Sequence, residues 1–96
     1  MRIDGNKYIW FELLTDTGKT QTWAVVNKAS GFHLGNIQWY GAWRQYTFMP
    51  VESSEYNNVC LDVICSFLTR LNKEKRITEK ALAPIAYSGG KEWKNI

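Results

Sequence analysis

His33-Leu34-Gly35-Asn36-Ile37-Gln38-Trp39-Tyr40-Gly41-Ala42-Trp43-Arg44-Gln45-Tyr46-Thr47-Phe48-Met49-Pro50 is the stretch that decides the fold. Apolar and polar residues alternate on both sides of Gly41-Ala42, which is the period of a half-buried strand. A Gly-X pair between two such runs suits a two-residue type II′ turn. With Gly41-Ala42 at the tip, Tyr40 opposes Trp43, Trp39 opposes Arg44, Ile37 opposes Tyr46 and Gly35 opposes Phe48. Directly opposed residues share a face. One face then carries Ile37, Trp39, Tyr46 and Phe48, with Gly35 making room. The other carries Tyr40, Trp43, Asn36, Gln38, Gln45 and Thr47. The first reads as core and the second as a wet face with two large aromatics at its tip. A one-residue slip would mix the two sets.

Working outward, Thr20 to Asn27 reads as the preceding strand, with Trp23 and Val25 joining the apolar face. Lys28-Ala29-Ser30-Gly31 is the turn between them. Tyr8 to Leu14 reads as the first strand. Thr15-Asp16-Thr17-Gly18 joins it to the second, with glycine supplying a positive φ. Downstream, Asn57 or Asn58 caps a helix. Leu61, Ile64, Leu68 and Leu71 fall on one helical face, widened by Cys60 and Phe67. Asn72 reads as its C-terminal cap. The expected fold is α+β, a four-stranded antiparallel meander with one amphipathic helix packed on one face (β-β-β-β-α). Residues 1–72 form that domain. Residues 73–96 form a basic extension, with a short helix over 77–83, a Ser88-Gly89-Gly90 joint and a tail from Lys91 to Ile96.

Bulk properties bound the function. Ninety-six residues make one domain at most. Aromatic residues make up 15% of the chain, with five Trp, which tilts the reading toward sheet. No apolar run approaches the roughly 20 residues of a membrane span, and Met1 to Gly5 lacks the apolar core of a secretory signal. A cytoplasmic protein is expected. Cys60 and Cys65 are five apart on the helix, roughly 8–9 Å between Cα atoms, beyond disulfide reach. With His33 the only histidine, no metal set is expected and no cofactor is implied. No glycine-rich phosphate loop is present. Net charge is +3, yet residues 19–51 contain no carboxylate, residues 52–72 sum to −2 and residues 73–96 sum to +3. An anionic partner is permitted by that distribution without being demanded.

The stretch from Leu34 to Pro50, with Trp23-Ala24-Val25-Val26-Asn27-Lys28 before it and Cys60-Leu61-Asp62-Val63-Ile64 after it, resembles a group of small, uncharacterised proteins from bacteria and their phages. Their pattern is roughly Trp-x-Val-x-Asn, then Leu-Gly-x-Ile-x-Trp-Tyr-x-x-Trp-Arg-x-Tyr-x-Phe-x-Pro, then Cys-Leu-x-x-Ile. The resemblance covers about Trp23 to Asn72. It implies a prokaryotic or phage setting and brings no activity with it.

The polar groups do not converge on a catalytic arrangement, so a binding module is expected rather than an enzyme. Tyr40, Trp43, Gln38 and Gln45 share the wet face. Trp and Tyr anchor protein interfaces, and aromatics on an open sheet also stack unpaired bases. The bland alternative is that Tyr40 and Trp43 only flank a turn or are covered by residues 77–96. Arg44 opposite Trp39 reads either as a presented cation or as a stem packed on an indole. Lys28, Lys73, Lys75 and Arg76 are the accompanying bases. The leading expectation is a small phage or mobile-element type modulator that docks on a host protein or nucleoprotein through this face. The alternative is single-stranded nucleic-acid or nucleotide binding by the same face and the basic tail. Two sheet edges leave a monomer or an edge-paired homodimer open.

Overall fold

The computed structural model describes residues 1–82. In order, it comprises β1 (Arg2–Asp4), β2 (Ile9–Asp16), β3 (Gln21–Asn27), β4 (His33–Tyr40), β5 (Gln45–Pro50) and α1 (Asn58–Leu82). The strands form one antiparallel meander in the order β1-β2-β3-β4-β5. The α+β architecture is the expected one, with five strands in place of four. The additional strand, Arg2-Ile3-Asp4, is three residues long with charge on both sides of one isoleucine, too short to register an alternation. Its register sets Ile3 against Phe11 and Arg2 against Glu12. Short and charged is the composition that keeps an edge strand from recruiting another chain.

The core lies between one sheet face and the helix. Ile9, Phe11, Trp23, Val25, Leu34, Ile37 and Tyr46 meet Cys60, Ile64, Phe67 and Leu71. Phe67 is the centre of the contact. It stacks on Phe11 with centroids 4.2 Å apart and meets Trp23 edge-on at 5.1 Å. Leu61, expected on this stripe, is 48% exposed. It sits at the margin of the buried face, whose centre runs through Cys60, Ile64, Phe67 and Leu71. Asn57 caps the helix as expected, its Oδ1 accepting from the Cys60 N–H at 2.8 Å.

The expected two-residue turn at Gly41-Ala42 is replaced by a four-residue loop, 41–44. The Tyr40 carbonyl accepts from Trp43 N–H and the Gly41 carbonyl from Arg44 N–H, each at 3.2 Å. Arg44 takes a left-handed φ of 54°. Tyr40 therefore opposes Gln45, Trp39 opposes Tyr46 and Ile37 opposes Phe48. The ladder is displaced by two residues from the expected one. A two-residue shift leaves every side chain on its face, so the core and wet sets survive and only the loop and the partners change. Trp43 belongs to the loop rather than to a strand, and the Trp39–Arg44 pair does not form. Gly35 is needed where it stands: an added Cβ would lie 2.6 Å from the Met49 carbonyl oxygen and 2.7 Å from Phe48 Cε1.

Asn72 does not end the helix. Helix α1 runs unbroken past it, so the separate helix expected from Ile77 is the far end of this one. The Asn72 side chain turns instead to strand β5, accepting from Tyr46 N–H at 2.6 Å and reaching the Tyr46 carbonyl at 3.5 Å. Both outward backbone groups of Tyr46 are thus occupied. In an antiparallel ladder outward-facing residues alternate, which turns Phe48 and Pro50 outward too, and Pro50 has no N–H to offer. The Tyr46 section of the β5 edge is thus taken by the helix, which shortens the stretch an edge-paired dimer could use. The Ser88-Gly89-Gly90 joint and the tail from Lys91 to Ile96 lie outside the described residues.

Candidate functional site

The sheet has two unlike faces. The helix covers one. On the other, among the described residues, no element lies over the strands. The outward positions are fixed by register: Ala24 opposes Asn36, Asn36 opposes Met49, Gln38 opposes Thr47 and Tyr40 opposes Gln45. With Thr22 and Val26 by alternation and His33 opposite Val26, ten outward side chains on β3, β4 and β5 include no Lys, Arg, Asp or Glu. Charges appear on this face only toward its far margin, where Arg2, Asp4 and Glu12 flank Trp10. There Arg2 lies over the Trp10 ring at 4.0 Å and ion-pairs with Glu12 at 3.4 Å.

Local chemistry explains the corner near the 41–44 loop. Tyr40 ends strand β4 and Trp43 is carried by the loop, where the two rings meet edge-on, 5.1 Å between centroids and 85° between planes. They remain 45% and 61% exposed, and Met49 on β5 is 53% exposed. Gln38 is half-buried and donates from Nε2 to Met49 Sδ at 2.9 Å. Tyr40, Gln38 and Gln45 share this surface as their alternation implied, and Trp43 joins them from the loop through its contact with Tyr40.

The bases divide. Lys28 stands at the opposite end of the sheet, paired with Asp4, and does not join this corner. Lys75 crosses from the helix to the β2–β3 hairpin, its Nζ donating to the Lys19 carbonyl at 2.7 Å and lying 5.3 Å from the Trp39 ring centroid. The cation over Trp39 is thus Lys75, where Arg44 had been expected. Arg44, Lys73 and Arg76 are exposed at this same end. Lys19 joins them from its hairpin, and the signal for it in the sequence was its place beside the turn glycine.

That hairpin is held locally. Asp16 Oδ1 accepts from Gly18 N–H at 2.9 Å and its Oδ2 from Gln21 Nε2 at 3.1 Å. These bonds, the backbone one first, hold its carboxyl below the usual carboxylate range. The Tyr46 hydroxyl accepts from Gln21 N–H at 3.0 Å. Burial pushes that phenol up, partly countered by the same bond. Between hairpin and helix lies an open depression of about 280 Å³ walled by Lys19, Tyr46, Leu71, Glu74 and Lys75. Its lining mixes charges of both signs and sets no nucleophile beside a base. His33 is exposed and its Nε2 is hydrogen-bonded to Asn36 Oδ1. Cys60 is buried and Cys65 exposed, both free thiols. Among the described residues, no three His, Cys, Asp or Glu side chains are grouped to hold a metal ion, and no helix is long and apolar enough to cross a membrane.

Fold and surface together define a class: a small α+β domain in which one helix covers a five-stranded meander and leaves its second face open. The chain is 31% identical over 77 residues to the "Uncharacterized 9.3 kDa protein" of Acholeplasma phage L2, spanning 79% of this chain and 99% of the phage protein. It belongs to the family of that phage protein. No family model matches the sequence, and no solved structure matches it.

Proposed function

We propose that this protein is a non-enzymatic binding module of phage or mobile-element type that docks on a host protein or nucleoprotein through the helix-free face of β3–β5. The carrying observation is the run of ten outward side chains without Lys, Arg, Asp or Glu on three adjacent strands, Tyr40 among them, with Trp43 at its border. The centre of a protein interface is depleted in charge and enriched in aromatic residues and Met, and its rim is polar. This face has that anatomy, with Tyr40, Trp43 and Met49 as anchors and Gln38 and Gln45 as hydrogen-bonding groups beside them. Tyr and Trp are the residue types whose truncation most often costs an interface more than about 2 kcal/mol. Kinship with a phage protein supports the setting.

The test is a comparison of parent, Trp43→Ala and Thr47→Glu as baits on extract of the bacterial host, followed by calorimetry with any retained protein in purified form. Thr47→Glu places an unpaired carboxylate in the middle of the uncharged face. The expected result is a protein held by the parent and lost by both variants while their melting temperatures hold. Equal retention by all three would remove the face from consideration.

A further inference from the structure

Beyond that face, the molecule has a second surface whose chemistry is different. The helix starts beside the outer ends of β4 and β5, where the Tyr56 hydroxyl donates to the Leu34 carbonyl. It then runs toward the two hairpin tips, where Asn72 meets Tyr46 and Lys75 meets Lys19. Charge is uneven along this direction. Glu52, Glu55 and Asp62 lie at the starting end, together with Lys7 and the Lys28–Asp4 pair. Lys19, Arg44, Lys73, Lys75 and Arg76 lie at the other, and they come from three separate elements: one hairpin, the second hairpin and the helix.

Among the described side chains, two acidic ones stand among these bases, and both are engaged. Asp16 accepts two hydrogen bonds within its own hairpin, and Glu74 pairs with Arg70 at 3.4 Å. None of Lys19, Arg44, Lys73 and Arg76 is in an ion pair among the described residues. Four exposed cations gathered at one end repel one another, and the arrangement is stabilised by bringing an anion of extended charge to them. Arg44 adjoins Trp43, the most exposed of the described indoles, so a flat apolar ring borders the charges. Cations beside an exposed aromatic ring are what a single-stranded nucleic acid uses, backbone on the bases and an unpaired base on the ring.

We infer that the end of the molecule formed by Lys19, Arg44, Lys73 and Arg76 is a site for the phosphate backbone of single-stranded nucleic acid, with Trp43 as its stacking residue. It is separate from the uncharged face, which offers no cation to a phosphate. The two meet at Trp43, so one bound nucleoprotein would be gripped by both.

The experiment is fluorescence anisotropy of labelled oligothymidylate titrated with the full chain at about 50 and 200 mM salt. Four phosphate contacts on a single strand give a log–log salt slope of about −3, or about a 50-fold loss of affinity over that range. The double variant Lys73→Gln/Arg76→Gln should cut that loss to about 7-fold. Both positions are exposed on the helix and lie off the uncharged face, so docking there should survive. Arg44→Gly removes a third charge at a backbone φ of 54° that glycine adopts without strain, so its weakened binding would not reflect misfolding. Any of four results would overturn the inference: no saturable binding at the lower salt, an unchanged salt response in the charge variants, duplex bound as tightly as single strand, or polyglutamate competing as well as the oligonucleotide.

Discussion

Asn72 holds the helix to the edge of the sheet, and its removal should be costly beyond the size of its side chain. In the parent its Oδ1 takes the Tyr46 N–H at 2.6 Å, while the Nδ2 contact with the Tyr46 carbonyl is long at 3.5 Å. Asn72→Ala leaves a partly buried N–H without its partner, which costs about 1–3 kcal/mol. Against this, alanine is the better helix former by about 0.5 kcal/mol. The net expectation is a loss of about 1–2 kcal/mol. For a domain of this size each kcal/mol moves the midpoint by about 4–8 °C, so Asn72→Ala should melt roughly 5–15 °C below the parent by circular dichroism. Asn72→Asp keeps the acceptor and gives up only the weaker donor contact, so it should lose less. Sedimentation at increasing concentration should also show whether the exposed edge now self-associates. A midpoint for Asn72→Ala equal to or above the parent's would refute the reasoning, because Tyr46 would then be satisfied without Asn72.

Three further outcomes are expected. Gly35→Ala should destabilise by about 1–3 kcal/mol in urea unfolding, since the new Cβ meets the backbone oxygen of Met49, which cannot rotate away; an unchanged midpoint would contradict the register. Phe67→Ala should cost about 3–5 kcal/mol, because that ring is 5% exposed and packs on both Phe11 and Trp23, whereas Leu61→Ala should cost under about 1 kcal/mol; equal losses in denaturant titration would misplace the helix face. Asp16 is held below its ordinary value in the folded state, so its contribution to stability is present above the unfolded pKa and is lost as pH falls through the folded one. Melting curves of Asp16→Asn and the parent should therefore differ near neutrality and converge in acid, and a gap that persists at the lowest pH would assign the effect to packing.

Much of this was legible beforehand because period-2 alternation is a strong signal over long strands. Together with a turn of even length, it placed Ile37, Trp39, Tyr46 and Phe48 on one face and Tyr40, Gln38 and Gln45 on the other. The turn itself was not legible, because displacing the ladder by two residues preserves both faces, and Gly41 is compatible with either loop. The longer loop requires Arg44 to accept a left-handed backbone, at a cost of about 1–2 kcal/mol for a non-glycine residue, and no composition rule announces that. Strand β1 escaped because three residues carry no period. Asn72 was read as a cap because asparagine favours helix ends, and its use as a clamp depends on an edge strand 26 residues earlier in sequence. The uncharged face was partly visible: between Thr20 and Trp43, Lys28 is the only Lys, Arg, Asp or Glu. The basic end was not, since Lys19, Arg44 and Arg76 come to one end of the molecule only through the fold.

Each strand of the meander pairs with the strand made immediately before it, so the sheet assembles from short-range contacts that form quickly. Its apolar face is complete once Phe48 has been synthesised, yet the residues that cover it, Cys60 to Leu71, leave the ribosome afterwards. For that interval Phe11, Trp23, Val25 and Ile37 have no partner layer, and a nascent sheet in that condition is prone to cling to other chains. The linker 51–57 therefore sets a kinetic hazard. How fast it lets the helix swing onto the sheet decides how much newly made protein reaches the native state.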